Sequence, residues 1–249
     1  MEISEQQRLN DLLIAAVKAG DAETVILLLQ QGADPNAVAE VSLYGWDSSK
    51  LPALELALTW HYRKEAWELW LAGHDEEEIS IPIVKALVEA GADVNTAASD
   101  VSQSPLVLAA ESDQREIAEY LLDHGADMHQ IGYLRETPLC AAVDYRSLSV
   151  VQLLLERGSD PNQACRGFTP LQRLREADRL LSFPLPPEEK EKIEAKAREA
   201  ARAANARIKE RLEKYPDPEY ELKYEQSWED RNAATEGIIR LLKEYGAEE

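Results

Sequence analysis

Apolar residues along this chain form short runs with helical spacing, and each of the clearest runs ends shortly before a glycine. The runs cover residues 25–29, 83–88, 117–122 and 150–155. Apolar positions that recur every three or four residues predict amphipathic helices. A glycine just past such a run is typical of a helix C-terminus, because glycine readily adopts the left-handed conformation found there. The pattern therefore predicts a series of short helices that end at similar turns.

These turns share one sequence motif. Gly-Ala-Asp-Pro-Asn at 32–36 recurs as Gly-Ala-Asp-Val-Asn at 91–95, Gly-Ala-Asp-Met-His at 125–129 and Gly-Ser-Asp-Pro-Asn at 158–162, and a degraded copy begins at Gly246. The glycines that begin successive copies of the motif are 59, 34, 33 and 88 residues apart. Two of these intervals fit a period near 33, and the other two carry extra residues. A fixed period of this length indicates a repeat protein.

A second motif follows the same period. Pro105, Pro138 and Pro170 are each preceded by Ser or Thr and followed by Leu, and they lie 33 and 32 residues apart. A proline in the first turn of a helix costs no hydrogen bond, and the hydroxyl before it can cap the helix. Each unit is therefore predicted as turn, helix, short link and helix. Neither helix can bury its apolar face alone, so neighbouring units must stack.

Two motifs in step at one period resemble the ankyrin-repeat family. The resemblance covers about residues 9–60, 79–175 and 232–248. It implies an all-α fold, namely an ankyrin-repeat solenoid of stacked helix-turn-helix units with finger loops. By the same resemblance, the finger tips and the exposed side of each first helix would form a concave recognition surface.

We expect one domain over 1–249. Its repeats would span 5–36, 37–95, 96–129, 130–162 and 163–249. The family often has a histidine two residues after the motif proline, where it bonds the next turn. This chain departs from that pattern with Val107, Cys140 and Gln172. We therefore expect reduced stiffness between repeats.

The array is interrupted in three places. The first finger, between Asn36 and Pro52, is 7 residues longer than the finger between His129 and Pro138. In addition, 19 residues enter between the helices of the second repeat, and a 56-residue helical insertion at 176–231 enters the last repeat. Irregular segments of a regular array are where function most often lies. In the second repeat, aromatic residues on two sides of a prolonged helix favour packing between layers over a ligand site. In the last insertion, 188–214 reads as a helix, and Tyr220, Tyr224 and Trp228 read as local core, with a partner-binding strip as the alternative.

Candidate partner-binding residues lie at the finger tips and in an acidic loop. Tyrosine, tryptophan and arginine at exposed tips suit binding hot spots. The finger-tip candidates are Tyr44, Trp46, Asp47, Asp100, Tyr133, Arg135, Arg166 and Phe168. The acidic-loop candidates are Asp75, Glu76, Glu77 and Glu78, which would attract a basic partner. Two alternatives stay open: Trp46 folds back onto the stack, and the acidic loop is simply solvated.

Charge restricts the classes of partner. The chain has 27 Lys and Arg residues against 47 Asp and Glu residues, a net charge of -20. Nucleic acid and anionic membranes are bound by basic surfaces, so both are disfavoured. The N-terminus lacks the features of a signal peptide, and two cysteines cannot form a disulfide framework. We therefore expect a cytoplasmic protein that is monomeric on its own.

The sequence offers no motif for catalysis. Phosphate-binding loops, nucleophile elbows and His-Glu-x-x-His patterns are missing, and Cys140 and Cys165 are interpreted as isolated thiols. We expect no enzyme activity, no cofactor and no metal. The remote alternative is a metal-dependent hydrolase around His61, His74 and the acidic loop at 75–78.

The favoured hypothesis is a non-catalytic module that binds and occludes a basic protein. An immunity-type or inhibitor-type protein that neutralises a toxin, for instance a nuclease, is its most concrete form. An adaptor, scaffold or effector accessory is the alternative. A plain structural spacer would tolerate replacement of Tyr44 and Trp46 by alanine without any change in binding.

Overall fold

A computed structural model describes residues 4–42, 48–59, 76–96, 103–132, 135–181 and 233–248. The helices of the first three repeats are α1 (Glu5–Ala19), α2 (Ala22–Gln30), α3 (Ala53–Leu58), α4 (Glu76–Glu89), α5 (Pro105–Glu111) and α6 (Arg115–Asp123). The later helices are α7 (Pro138–Tyr145), α8 (Leu148–Glu156), α9 (Pro170–Leu181) and α10 (233–244). Two strands, β1 (Val38–Ser42) and β2 (Ser48–Pro52), precede α3. Within the described part of the chain, no helix is both long and apolar enough to span a bilayer.

The first helices begin as their sequence motif predicts. The hydroxyl of Ser104 accepts a hydrogen bond from the Val107 amide, and the Thr137 hydroxyl accepts one from the Cys140 amide, at 3.4 and 3.3 Å. In both helices the motif proline is the first helical residue. Pro52 differs, because it ends β2 and stands at the N-cap of α3 without a side-chain cap.

One continuous core runs through the stack. Every residue of α3 and α5 is buried, and so is every residue of α7 from Pro138 to Val143. The second helices bury one face against their neighbours, and the apolar cluster extends from Leu13 to Leu242. The all-α solenoid of stacked helix pairs is thereby confirmed.

A chain of hydrogen bonds links each turn motif to the next. The Asn36 side chain accepts from the Asp93 amide at 2.8 Å and donates to the Gly91 carbonyl at 3.2 Å. Asn95 makes the same two contacts with the turn at 125–127, and Asn162 makes them with Gly246 and Glu248. The insertions leave these contacts in place because they enter between the elements that carry them.

Two positions depart from this chain of contacts. At the first turn motif, two side chains of α1 take these roles: Gln6 donates to the Gly32 carbonyl, and Asn10 accepts from the Asp34 amide. At the junction of the third and fourth repeats, His129 occupies the asparagine position, and its Nδ1 lies 3.4 Å from Gln163 Oε1. Asparagine carries a donor and an acceptor on one short amide, which a histidine ring cannot reproduce in the same place.

The long first finger contains the two strands, which the all-helical expectation did not include. β1 and β2 pair antiparallel, with Val38 opposite Pro52, Ala39 opposite Leu51 and Glu40 opposite Lys50. Ala39 and Leu51 are buried, while Glu40 and Lys50 are exposed on the other face. Alternating burial stabilises a two-stranded ribbon only where it packs on another layer, which the helices supply here.

Some predicted boundaries change. Residues Glu76–Glu78 belong to the first turn of α4 rather than to a loop, because glutamates favour helix N-terminal turns through the helix dipole. The predicted insertion at 176–231 begins inside α9, which continues to Leu181. The predicted helix extension at 60–71 and the helical and aromatic segments within 182–232 lie outside the described residues.

Candidate protein-binding surface

A groove lies between α1 and the first finger. One wall is a row of α1 side chains that follow one another at intervals of about one helical turn. The other wall is the hairpin that β1 and β2 form. The volume is about 630 Å³. The lining residues are Gln7, Asp11, Ile14, Lys18, Val38, Ala39, Glu40 and Lys50. Helix and finger thus enclose a concave corner that is open to solvent.

The groove has an apolar element within a balanced set of charges. Val38 is 49% exposed, although it is a β-branched apolar residue. Asp11 accepts a hydrogen bond from Gln7 at 2.8 Å, and Glu40 stands opposite Lys50 across the hairpin. Opposite charges across a strand pair stabilise the ribbon. Lys18 offsets the charge of Asp11, so the groove itself is close to neutral.

The finger of the last repeat is a tight turn. Cys165 and Phe168 exchange two backbone hydrogen bonds of 2.9 and 3.2 Å, and Arg166 and Gly167 between them have positive φ angles. Positive φ at both central residues is typical of the two-residue turns that join antiparallel strands. Phe168 is 48% exposed, and the Arg166 guanidinium lies 3.5 Å from Glu136.

The finger of the fourth repeat is closed by its own backbone. The Gly132 amide donates to the Glu136 carbonyl at 3.0 Å, and the Arg135 amide donates to the Gly132 carbonyl at 2.9 Å. Arg135 is exposed, and Ile131 is 62% exposed. Sequence reasoning missed Ile131 because its solvent exposure follows from the finger geometry and not from any motif.

A partly buried ionic cluster supports these two fingers. Arg173 of α9 donates to Asp144 at 2.9 Å, to Glu136 at 3.1 Å and to the Cys165 carbonyl at 3.2 Å. The bond to Asp144 is the main cause that holds the pKa of Arg173 above its usual value. The sequence does not reveal this cluster, because Arg173 is 29 residues from Asp144 and 37 from Glu136.

Cys140 and Cys165 are not isolated thiols, and the interpretation made from the sequence is wrong on this point. The structure pairs them as a disulfide that joins α7 to the last finger, with their Cα atoms 6.6 Å apart. Both residues are buried. Their separation of 25 residues concealed the contact, because only the stacking of adjacent repeats brings a first helix against the following finger.

The predicted partner-binding residues fall into three groups. Arg135, Arg166 and Phe168 lie on exposed parts of adjacent fingers, and their placement agrees with a surface role without testing it. For the acidic loop, only the backbone of Glu76–Glu78 is described, and it is helical. Outside the described residues lie Tyr44, Trp46, Asp47, Asp75, Asp100 and Tyr133, together with His61 and His74. Among the residues that are described, no three His, Cys, Asp or Glu side chains form a metal-binding group.

Comparisons with known proteins bear directly on the repeat. A family profile described as "Ankyrin repeats (3 copies)" matches residues 69–165, and one described as "Ankyrin repeat" matches residues 10–40. The two ranges together cover about half of the chain. They include most of α1 and the start of β1 in the groove wall, as well as the finger of the fourth repeat and the finger of the fifth up to Cys165.

Three relatives share part of this array. An ankyrin repeat protein of Rickettsia felis is 36% identical over 106 residues, which are 42% of this chain and 46% of that protein. NF-kappa-B inhibitor alpha of Gallus gallus is 35% identical over 83 residues, 33% of this chain and 26% of that protein. The Mus musculus protein "Ankyrin repeat, SAM and basic leucine zipper domain-containing protein 1" is 30% identical over 130 residues, 49% and 26% respectively.

The match spans less than half the length of each of these relatives, so it concerns the repeats and not the whole proteins. Arrays of this kind imply a protein–protein interaction module. From the paired helices, the linked turn motifs and the matching profiles, it follows that the chain belongs to the ankyrin-repeat family.

Proposed function

We propose that this chain binds a basic protein partner and occludes the partner's functional surface. The most concrete form of the proposal is an immunity-type or inhibitor-type protein that neutralises a toxin. The partner would lie along the concave side of the array, on the α1–hairpin groove and the later fingers. The predicted contact residues of the first finger, Tyr44, Trp46 and Asp47, would extend this surface.

The observation that carries the proposal is the groove between α1 and the hairpin. It is wide enough to admit side chains, with a volume of about 630 Å³, and it exposes an apolar residue, Val38, at its wall. Exposed apolar residues next to charged ones are typical of interface anchors with a polar surround. Ile131 and Phe168 repeat this combination beside Arg135 and Arg166 on the later fingers.

The support for a basic partner comes from the net charge of the whole chain and not from the charge of the groove. The groove is nearly neutral, whereas the chain carries a net charge of -20. A field of that sign speeds the association of a positively charged protein and weakens with added salt. The inhibitor named among the relatives supports an occluding role, although the match covers only 26% of that protein.

The test begins with co-purification from the native cells, using the full chain as bait, followed by binding measurements with the partner that mass spectrometry identifies. We expect a partner of basic isoelectric point, an affinity that falls steeply with salt, and inhibition of that partner's own activity. An adaptor or scaffold would instead bind its partner and leave the partner's activity intact.

A charge-matched pair of variants locates the surface. Asp11→Asn with Glu40→Gln removes two negative charges from the groove, and Glu23→Gln with Glu244→Gln removes two from α2 and α10. We expect the groove variant to lose about tenfold or more in affinity, a change of about 1.4 kcal/mol in binding free energy, with little effect of the control. Equal binding by both variants would contradict the placement of the binding surface at the groove. An affinity that does not change with salt would contradict a basic partner.

A further inference from the structure

We propose that Cys140 and Cys165 form a reversible thiol–disulfide site that clamps the last finger to α7, with a small-molecule disulfide such as oxidised glutathione as the co-reactant. The inference rests on the proposed function in one respect, since it treats this finger as part of the binding surface. It assigns to the two cysteines a regulatory role that goes beyond packing.

The two sulfur atoms are held together by elements that do not need the bond. Cys140 lies in the first turn of α7, whose start is fixed by the Thr137 cap. Cys165 is held by its backbone pairing with Phe168 and by the Arg173 bond to its carbonyl. Thr137 Oγ1 lies 3.3 Å from the Cys165 sulfur. Reduced thiols would therefore stay close enough to reoxidise without a rearrangement of the repeat.

The two cysteines differ in how they can be reached. Cys140 is fully buried in α7, and the residues before and after it in that helix are also buried. Cys165 is buried too, but Ala164 and Arg166 on either side of it are exposed. A local opening of the short turn uncovers Cys165 and leaves α7 in place, so Cys165 is the entry point for the co-reactant.

The chemistry is a thiol–disulfide exchange in two steps. The Cys165 thiolate attacks one sulfur of the small-molecule disulfide, forms a mixed disulfide and releases one thiol. The Cys140 thiolate then attacks the Cys165 sulfur and releases the second thiol. The two cysteines lose two protons and two electrons, and the co-reactant gains them. Two molecules of reduced glutathione reverse the reaction.

The consequence concerns the exposed side chains of the finger. With the bond closed, Cys165 is tied covalently to α7, and the turn that carries Arg166 and Phe168 has fewer positions to sample. With the bond open, only non-covalent contacts hold the turn, among them its backbone pairing and the Arg173 bond to the Cys165 carbonyl. Fixing a recognition loop in advance reduces the entropy lost when a partner binds. Oxidation should therefore strengthen, and reduction weaken, the contribution of this finger.

The experiment uses the full chain without any partner, equilibrated with glutathione over a range of reduced-to-oxidised ratios. Thiol alkylation with intact-mass measurement reports the disulfide, and hydrogen exchange reports the finger. We expect a reversible loss of two hydrogen masses on oxidation. We also expect amide exchange in 163–169 to slow by about tenfold or more in the oxidised chain, with α1 and α2 unchanged.

Neither Cys140→Ser nor Cys165→Ser can form the internal bond. Cys140→Ser should stop at the mixed disulfide of Cys165 with glutathione, and Cys165→Ser should keep its buried Cys140 thiol. The wild-type comparison does not require either variant to fold. A folded chain that keeps both thiols at every ratio, or equal exchange of 163–169 in both states, would overturn the inference. Neither result would affect the outcome of the partner-binding experiment, so the proposed function would stand. A redox-dependent finger in a chain that captures no partner would contradict the proposed function alone.

Discussion

At the scale of single residues, the asparagine that ends each turn motif contributes more than turn propensity. Asn36, Asn95 and Asn162 each reach the next turn through one donor and one acceptor. His129 interrupts this series between the third and fourth repeats, and among the described residues no side chain donates to the Gly158 carbonyl. Ion pairs do cross this junction from α6 to the C-terminal end of α8, such as Arg157 with Asp123 at 2.6 Å.

His129→Asn should therefore stabilise the protein. The new amide can accept from the Asp160 amide and donate to the Gly158 carbonyl, as Asn95 does one repeat earlier. A typical net hydrogen bond predicts a gain of about 1 kcal/mol in the free energy of unfolding. For a chain of this length that corresponds to a rise of about 2–4 °C in the melting temperature. The matched control, Asn95→His, should lower stability by a similar amount, and a neutral His129→Asn would contradict this reading of the junction.

A second prediction at this scale concerns how the stability of the fold depends on pH at Asp21. The bonds that Thr24 donates to Asp21 at the start of α2 lower the pKa of that carboxyl below its usual 3.8. A carboxyl with a lowered folded-state pKa stabilises the fold above its unfolded pKa, and this contribution is lost as the pH falls through the folded value.

Asp21→Asn keeps an oxygen that can cap the helix and removes the titration. The difference in unfolding free energy between parent and variant should thus be constant above about pH 5 and shrink in more acid solution. Urea titrations from neutral pH to about pH 2.5 measure it. Parallel pH profiles of the two proteins would show that Asp21 does not contribute in this way.

At the scale of elements, α9 is tied to α7 and its finger by one arginine. Arg173 neutralises Asp144 and the buried Glu136, whose side chain is 5% exposed. Removing one partner of a buried pair leaves an uncompensated charge, which costs more than the pair itself contributes. Because Arg173 bonds to Glu136 in one finger and to the Cys165 carbonyl in the other, the cluster also fixes the positions of both fingers.

Arg173→Leu should lower the free energy of unfolding by about 3 kcal/mol, because the buried Glu136 then keeps only the more exposed Arg166 guanidinium, 3.5 Å away, as its cation. Adding Glu136→Gln should recover part of this loss, since the amide carries no charge. Urea unfolding of the two single variants and the double variant forms a mutant cycle. Strictly additive losses would indicate that Arg173 and Glu136 do not interact in solution.

At the scale of the whole molecule, the stack is built from nearest-neighbour contacts. The α10 helix closes the C-terminal end with Ile238 and Leu242, both fully buried. Gly237 lets α10 approach α8 closely, because a Cβ atom there would lie 3.1 Å from a Leu148 methyl group. Arg146 adds a bond of 2.9 Å to Thr235. Each repeat in such an array stabilises mainly the next one.

Leu242→Ala should consequently destabilise one end of the molecule. We expect a loss of about 2–5 kcal/mol, with faster amide exchange in α8 and no change in α1 or α2. Leu13→Ala is the matched control, because it removes an equally buried leucine at the other end and should affect α2 instead. Uniform loss of protection along the chain in both variants would mean that the array unfolds as one unit.

The amino-acid sequence by itself determined the repeated unit. The spacing of glycines, prolines and apolar runs was sufficient for the helix pairs, their caps and the stacked all-α fold, because these features depend on contacts within one repeat and between adjacent repeats. It also placed Arg166 and Phe168 on a finger tip. The division into repeats over 1–249 and the roles of the finger and acidic-loop residues remain predictions.

The tertiary structure alone decided which distant residues meet. The disulfide between Cys140 and Cys165, the Arg173 cluster and the α1–hairpin groove each join residues more than 20 positions apart. No local pattern encodes such contacts, because they arise only when one repeat packs on the next. The strands of the long first finger belong to the same class, since a two-stranded ribbon is stable only on the layer of helices beneath it.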